Sequence, residues 1–428
     1  MTEDAEHDPM SFHYEKDVLY CERLRVKDIQ DRVPDSPFYL YSRAQLAGNY
    51  RAYTSALGDL PAIVSYALKA NSNLTLLTHL RRLGAGATLV SGNELRLALA
   101  AGFEADRALF NGNGKTVPEL QLAARHGVMF NIDSEFDLMH IEQAARDAAR
   151  PARVLIRINP DLDPEVHPYV ATGIRDSKFG IHSRGLSKMI DRVRAASRLE
   201  LVGVHCHLGS TIQSVEPFRE AAALMVQALA QVRCAGFEAR YVNIGGGLGI
   251  DYKREEALPE TADLIDAVRP LLGEDVTLVI EPGRSIVGSA GVLVGRVIGV
   301  KEGENKRFIV TDASMSELIR PSLYGAYHHI GFVEPAGGRA DTFDVVGPVC
   351  ESADFLGKDR KLATPREGAG VVVFDTGAYG YAMSSNYNAR TKPGEYLVDG
   401  DELTCIRRAE RFEDHMRLFD VDGSETEG

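Results

Sequence analysis

The sequence predicts an α/β fold, a (β/α)8 barrel, followed by a mostly β domain. Three observations point there. Eight short apolar runs recur between Ala62 and Ile280, and Ala/Leu-rich stretches with helical spacing separate them; after Pro282 this alternation gives way to strand-like runs alone. Strand then helix, repeated eight times, is the pattern of parallel strands wound with helices. An open doubly wound sheet gives the same local alternation; the count of eight favours closure.

The elements follow in order. Val18–Tyr20 is a short strand ahead of the first helix. The barrel strands read Ala62–Tyr66, Ala87–Ser91, Ala108–Asn111, Val128–Ile132, Val154–Ile158, Leu201–Cys206, Tyr241–Ile244 and Thr277–Ile280. They are short and continuously apolar, as strands covered on both faces are. Helical spacing shows at Leu74, Leu76, Leu77 and Leu80, and again at Phe218, Ala222, Met225 and Leu229. Gly84, Gly102, Gly127, Gly236 and Gly273 stand where helix C-caps favour glycine. Beyond Pro282, Gly291–Val300, Arg307–Thr311, Phe343–Val346, Val371–Asp375 and Leu403–Ile406 are strand-like. We therefore expect a barrel over 36–285 and a β domain over 286–428, joined by 10–35. Residues 1–9 and 420–428, acidic and without Lys or Arg, are expected to be disordered tails.

Composition narrows the function. At 44% hydrophobic and 25% charged residues, the chain has material for a large core. Its 61 acidic against 48 basic side chains argue against a nucleic-acid partner, which needs a basic surface. Without the eight acids of the two ends, 53 acids face 48 bases, so the rest is nearly balanced. No apolar run approaches the roughly 18 residues of a membrane span; Ala221–Ala230 reads as helix packing. The acidic start does not look like a leader, and five cysteines without a CxxC suit a reducing compartment, so a cytoplasmic location is expected.

Barrel chemistry sits just past the strand C-termini. Those positions read Lys69, Ser91, Asn111-Gly-Asn113, Asp133, Arg157-Ile-Asn159, His207-Leu-Gly-Ser210, Gly245-Gly-Gly247 and Glu281-Pro-Gly-Arg284. All are polar or glycine apart from the apolar neighbours between them. The triglycine would form an anion site if it opens a helix, through its exposed N–H groups and the helix dipole; as a lone feature it is as readily a flexible turn. Lys69, desolvated near a barrel interior, is a candidate Schiff-base amine, although a single strand-end lysine is more often simply solvated. His205 and His207 share one face of their strand, which is weak evidence for a metal without a third ligand. Glu281 ends an apolar strand, where a carboxylate needs a partner. A protonated heterocyclic nitrogen would serve, and so would Arg284.

Taken together, these residues resemble the fold-type III pyridoxal-phosphate decarboxylases, most closely the diaminopimelate decarboxylase branch. The resemblance runs from about residue 35 to 419. It rests on Tyr66-Ala-Leu-Lys-Ala-Asn71, Ser177-Lys-Phe-Gly-Ile181, His205-Cys-His-Leu-Gly-Ser210, Gly245–Gly247, Glu281-Pro-Gly-Arg284, Arg320-Pro-Ser-Leu-Tyr324, Cys350-Glu-Ser-Ala-Asp354 and Gly377-Ala-Tyr379. Leu89-Val-Ser-Gly-Asn-Glu94 and Phe110-Asn-Gly-Asn-Gly-Lys115 look like its plant-type sequences. The resemblance implies an alanine racemase-like barrel with a C-terminal β-sandwich or β-barrel domain, and pyridoxal 5′-phosphate as cofactor. Lys69 would hold the cofactor as a Schiff base, His207 would stack on its ring, and Glu281 would keep the ring nitrogen protonated. Ser210, Gly247, Gly283, Arg284 and Tyr379 would surround the phosphate. Arg284, Arg320, Tyr324 and Tyr379 would meet the substrate, with its distal carboxylate on the arginines and Tyr324, and its distal amine on Glu351. Cys350 would protonate the substrate carbon, reaching the site from the other subunit of a homodimer. No metal is implied. The family acts at the D-centre of meso-2,6-diaminopimelate and gives L-lysine and carbon dioxide, the last step of lysine biosynthesis. By the same resemblance a processed plastid protein is the alternative location.

Three rival readings stay open at this point. The fold could serve ornithine, arginine or a carboxylated polyamine, and Arg320 with Glu351 argues against a plain diamine precursor. A silent homologue that binds a partner protein would be expected to lack Lys69 or Cys350, and both are present. A barrel-fold racemase would not need the Cys350 and Arg320 motifs.

Overall fold

The computed structural model describes residues 11–164, 166–170, 172–174, 177–254 and 258–419. The expected acidic tails therefore lie outside the described residues. The chain divides into two compact units. One comprises Gln45–Ala290 with Gly377–Ala382; the other comprises the described residues up to Ala44, Gly291–Thr376 and the chain from Met383.

The first unit is a closed barrel of eight parallel strands: β1 (Ala62–Ala67), β2 (Gly86–Leu89), β3 (Ala108–Phe110), β4 (Met129–Ile132), β5 (Ala152–Asn159), β6 (Leu199–His205), β7 (Tyr241–Asn243) and β8 (Thr277–Ile280). Each pairs in parallel with the next, and β8 closes onto β1 through Leu278–Ala62, Val279–Ile63 and Ile280–Val64. Closure leaves no open edge, which is why these strands can be short and apolar throughout. Ile63, Leu109, Met129, Leu155, Tyr241 and Val279 fill the interior below the strand ends. The helix Glu216–Cys234 buries Phe218, Ala221, Ala222, Met225, Ala228, Leu229 and Val232, the stripe read from its spacing. Gly84, Gly102, Gly127 and Gly236 take φ of 98°, 84°, 76° and 90°, the left-handed region that ends a helix. Gly273 does not; it follows the single turn Arg269–Leu271 rather than capping an α-helix. No helix among the described residues is long and apolar enough to cross a membrane.

The second unit is organised on the long strand Gly291–Glu302. Its far half pairs antiparallel with Arg307–Thr311, and its near half lies between Phe38–Ser42 and Gly370–Val373. Phe38–Ser42 also pairs in parallel with Gly394–Val398. The run after Pro37, expected to belong to the barrel, is thus a strand of the β unit, and the chain enters the barrel only through the helix Arg43–Leu57. Leu19, Val26, Phe38, Leu40, Val292, Val294, Val372, Phe374, Tyr396 and Val398 make the core of this unit.

Candidate active site

At the C-terminal ends of the barrel strands lies a cavity of about 370 Å³. Its lining includes Lys69, Thr88, Asn111, Arg157, Phe179, His205, His207 and Glu281. Lys69 sits on the single turn Leu68–Ala70 that ends β1. It is exposed and lines the cavity, which is the solvated alternative of the sequence reading rather than the desolvated one. Glu94 lies close enough to feel its charge: burial pushes the Glu94 carboxyl up to about 7, while the Val90 N–H at 2.6 Å and Lys69 pull it down. The sequence marked Glu94 through the Ser91-x-x-Glu94 spacing, and Ser91 does cap its helix.

Glu281 is buried and receives donors. The Asn111 amide lies 3.0 and 2.8 Å from its two oxygens, the Asn243 amide 2.8 Å away, and His205 Nε2 3.4 Å away. Burial alone would raise this carboxyl; the His205 ring and the two amides outweigh it and hold Glu281 well below the usual carboxylate range. Burial lowers His205, so we take its ring as neutral and as donating through Nε2. The alternative partner Arg284 goes elsewhere. His207 is pushed well below its ordinary value by burial first, then by the charges of Lys69 and Arg157. Its Nδ1 accepts the Gly246 N–H at 3.2 Å, which fixes a neutral ring with its proton on Nε2. The two histidines therefore serve a carboxylate and a peptide N–H. Arg157 pairs with buried Asp133 at 3.1 Å and lies over the Phe179 ring at 4.5 Å, which seats the Ser177–Ile181 motif beside the cavity.

A second cluster gathers around the triglycine. Gly245 and Gly247 take φ of 69° and 120°. A Cβ on Gly246 would meet the Glu281 carbonyl at 2.1 Å, and one on Gly247 the Gly209 carbonyl at 2.4 Å, so side chains are excluded. The turn does not open a helix: the next helix among the described residues begins at Thr261. Instead Ile212 N–H donates to Gly247 O and Gly249 N–H to Ile212 O, both at 2.9 Å, which draws the Ser210 loop alongside. Arg284 donates from Nη2 and Nε to Ser210 Oγ at 2.9 and 3.2 Å and from Nη1 to Tyr252 at 2.5 Å. Its guanidinium stands 4.8 Å from the Tyr379 ring centre, and Tyr379 N–H donates to Ala70 O at 2.8 Å. Gly283, against Ala67 and Ala70, lets this arginine start its short helix beside the Lys69 turn. Ser210, Gly247, Gly283, Arg284 and Tyr379 thus form one group next to the cavity; Tyr252 was not foreseen.

The model of the pyridoxal binding domain of the pyridoxal-dependent decarboxylases matches residues 43–288, the barrel unit almost end to end. The chain belongs to the pyridoxal-dependent decarboxylases. Its cofactor is pyridoxal 5′-phosphate. Within the decarboxylases it is 57% identical to a rice protein named probable diaminopimelate decarboxylase, chloroplastic, over 94% of this chain and 83% of that one. It is 41% identical to the diaminopimelate decarboxylase of Aquifex aeolicus, over 94% and 95% of the two chains. Among solved structures, diaminopimelate decarboxylase from M. jannaschii, in complex with L-lysine, superposes with a TM-score of 0.91 at 33% identity, covering 97% of this chain and 98% of that one. The residues of this decarboxylase fit a pyridine phosphate. A carboxylate held as an acceptor lines the cavity with an amine and a neutral imidazole, and a guanidinium lies beside a turn that admits no side chain.

The remaining sequence-derived residues of this decarboxylase lie in the β unit. Cys350 and Glu351 are exposed on a turn, where Cys350 N–H donates to Asn388 Oδ1 at 2.8 Å and Tyr387 donates to Glu351 at 3.2 Å. Asp354 holds the turn by accepting from Val349 and Met315 N–H, each at 2.7 Å. Arg320 is buried at the start of the helix Arg320–Tyr324, with Tyr324 half-buried at its end. Arg320 Nη1 lies 2.6 Å from His328 Nε2, and His328 Nδ1 lies 2.8 Å from the Phe374 carbonyl. A carbonyl only accepts, so Nδ1 carries the proton and Nε2 receives the guanidinium. Nothing in the sequence set His328 apart from its neighbour His329.

Proposed function

We propose that this chain decarboxylates meso-2,6-diaminopimelate to L-lysine and carbon dioxide, the last step of lysine biosynthesis. What carries the reading is likeness over nine-tenths of the chain to relatives named for that reaction, on a barrel whose cavity holds Lys69, His207 and Glu281 together. When bound, pyridoxal phosphate supplies the electron sink for the pair released as the carboxylate leaves. The protein's part is to bind, orient and manage protons.

Lys69 would hold the cofactor as a Schiff base. Glu281, held anionic, would accept from a protonated ring nitrogen. Neutral His207 would stack on the ring without adding a like charge. Ser210, Gly247, the Gly283 backbone, Arg284 and Tyr379 would hold the phosphate. Arg320, Arg284 and Tyr324 would bind the far carboxylate of the substrate and Glu351 its far amine, and Tyr379 would also meet the substrate. Ornithine or lysine carries only an amine at that end and offers these arginines no carboxylate. The five cysteines are free, and a reducing compartment, cytoplasm or plastid stroma, suits them. Holoenzyme given meso-2,6-diaminopimelate should release carbon dioxide and L-lysine in equal amounts.

The working unit in this reading is a homodimer in which Cys350 of the partner subunit returns a proton to the α-carbon. What supports this reading is that the Cys350 thiol is exposed, on a turn braced by Asn388. Cys350→Ala is expected to slow product formation by about 10²-fold, the scale of a lost general acid, with the cofactor still bound. Mixing Lys69→Ala with Cys350→Ala subunits should recover part of the activity, because one site then has both groups. A confirmed mixed dimer with no recovery would overturn the shared site.

A further inference from the structure

The hydrogen-bond partners of the Glu281 carboxylate among the described residues are two amides and an imidazole. An amide can turn either end toward a neighbour unless its oxygen is engaged. Here both oxygens are. Asn111 Oδ1 receives the Asn131 amide, and Asn243 Oδ1 receives the Gly245 N–H at 2.8 Å. The backbone of Asn131 is itself held from behind. Lys115, fully buried, donates to Asn131 O at 2.9 Å and to Gly112 O at 2.6 Å and pairs with Asp137 at 2.7 Å. Its three protons thus tie together the end of β4, the loop after Asn111 and the helix Glu135–Asp147. The other charges near Glu281 are Arg157, paired with Asp133, and Lys69.

We propose that Asn111 and Asn243 are positioning residues that, with their oxygens engaged elsewhere, present only N–H groups to Glu281 and so keep it as the acceptor for one further N–H from the cavity. The Asn131 amide sets the orientation of Asn111, with Lys115 holding the backbone on either side of that contact; the start of the triglycine turn sets that of Asn243. The same Gly245 N–H therefore couples the triglycine turn to the Glu281 carboxylate through Asn243. This inference rests on the reading of Glu281 as the partner of the cofactor's ring nitrogen.

Asn111→Asp and Asn243→Asp isolate the point. Each keeps the oxygen that accepts from Asn131 or Gly245 and replaces only the donating amide by a second oxygen. Two carboxylates at hydrogen-bond distance cannot both ionise, so the pair must take up a proton. In holoenzyme loaded with ring-15N cofactor, the nitrogen signal should move toward that of an unprotonated pyridine. In cofactor-free protein at neutral pH, a protonated carboxyl band that the unmutated protein lacks should appear in the infrared. Turnover should fall on the order of 10–100-fold, as when the support of a site group is removed. Asn243→Asp poses the question from the opposite side of Glu281 should Asn111→Asp fail to fold. Glu281→Gln separates the two levels. If it leaves the nitrogen signal unmoved, the reading of Glu281 fails and the inference with it. If it moves the signal and the folded Asp variants do not, the positioning role alone is overturned.

Discussion

Lys69→Ala abolishes both the visible absorption band of the lysine Schiff base and turnover. The lysine is the amine on the cavity wall at the end of β1, held there by a single turn between Ala67 and Asn71. Loss of a group that acts covalently is felt at roughly 10⁴–10⁶-fold. The neighbouring groups do not depend on it for their place. Tyr66 donates to Asn71 O at 2.9 Å, Asn71 donates to Gly377 O at 3.1 Å, and Tyr379 N–H donates to Ala70 O. The variant should therefore fold and still take up cofactor, without a covalent bond. A reducing agent that fixes a Schiff base should attach cofactor to the unmutated chain and not to Lys69→Ala. Attachment at another lysine would refute the assignment.

Arg320→Leu lowers kcat/KM for meso-2,6-diaminopimelate by about 10³–10⁴-fold and leaves the cofactor spectrum as it is. The magnitude follows from a polar recognition group being removed from a site that needs it. Arg320 lies in the β unit and takes no part in the cluster around Glu281, so the spectrum separates substrate loss from cofactor loss. Arg320→Lys is expected to recover little. A point charge does not replace a planar fork, and His328, with Nδ1 committed to the Phe374 carbonyl, is set to receive a guanidinium N–H. Retention of kcat/KM within a few-fold in Arg320→Leu would remove Arg320 from substrate recognition.

The barrel was legible because its strands are buried on both faces and so are written as unbroken apolar runs between glycines. The β unit was read only in part. Phe38–Ser42, Ile330–Phe332, Phe355–Ala363 and Gly394–Asp399 were missed, for different reasons. Phe355–Ala363 is an edge strand carrying Lys358, Asp359, Arg360 and Lys361, so its burial alternates poorly. Phe38–Ser42 pairs with Gly291–Val294 and Gly394–Val398, far along the chain, and no local pattern announces such partners. The site shows the same division. Lys69, His207, Glu281 and the glycines were visible as strand-end residues. What holds them was not, because it depends on how amides from β3, β4 and β7 turn toward one another. A signal was nonetheless present: Asn111, Asn131 and Asn243 stand at or near the ends of three barrel strands, where apolar residues would otherwise be cheaper to bury. The helix-dipole argument for the triglycine failed for a simpler reason, since among the described residues no helix follows it before Thr261.

The most direct test of the central claim compares substrates on the holoenzyme. Meso-2,6-diaminopimelate, ornithine, arginine and a carboxylated polyamine are supplied in turn, with carbon dioxide release and product identity followed together. The account predicts L-lysine from meso-2,6-diaminopimelate, with kcat/KM exceeding that for ornithine and arginine by about 10⁴-fold, as expected for substrates that lack the group a polar site recognises. Comparable rates on a substrate without a distal carboxylate, or a carboxylated polyamine preferred over meso-2,6-diaminopimelate, would contradict it.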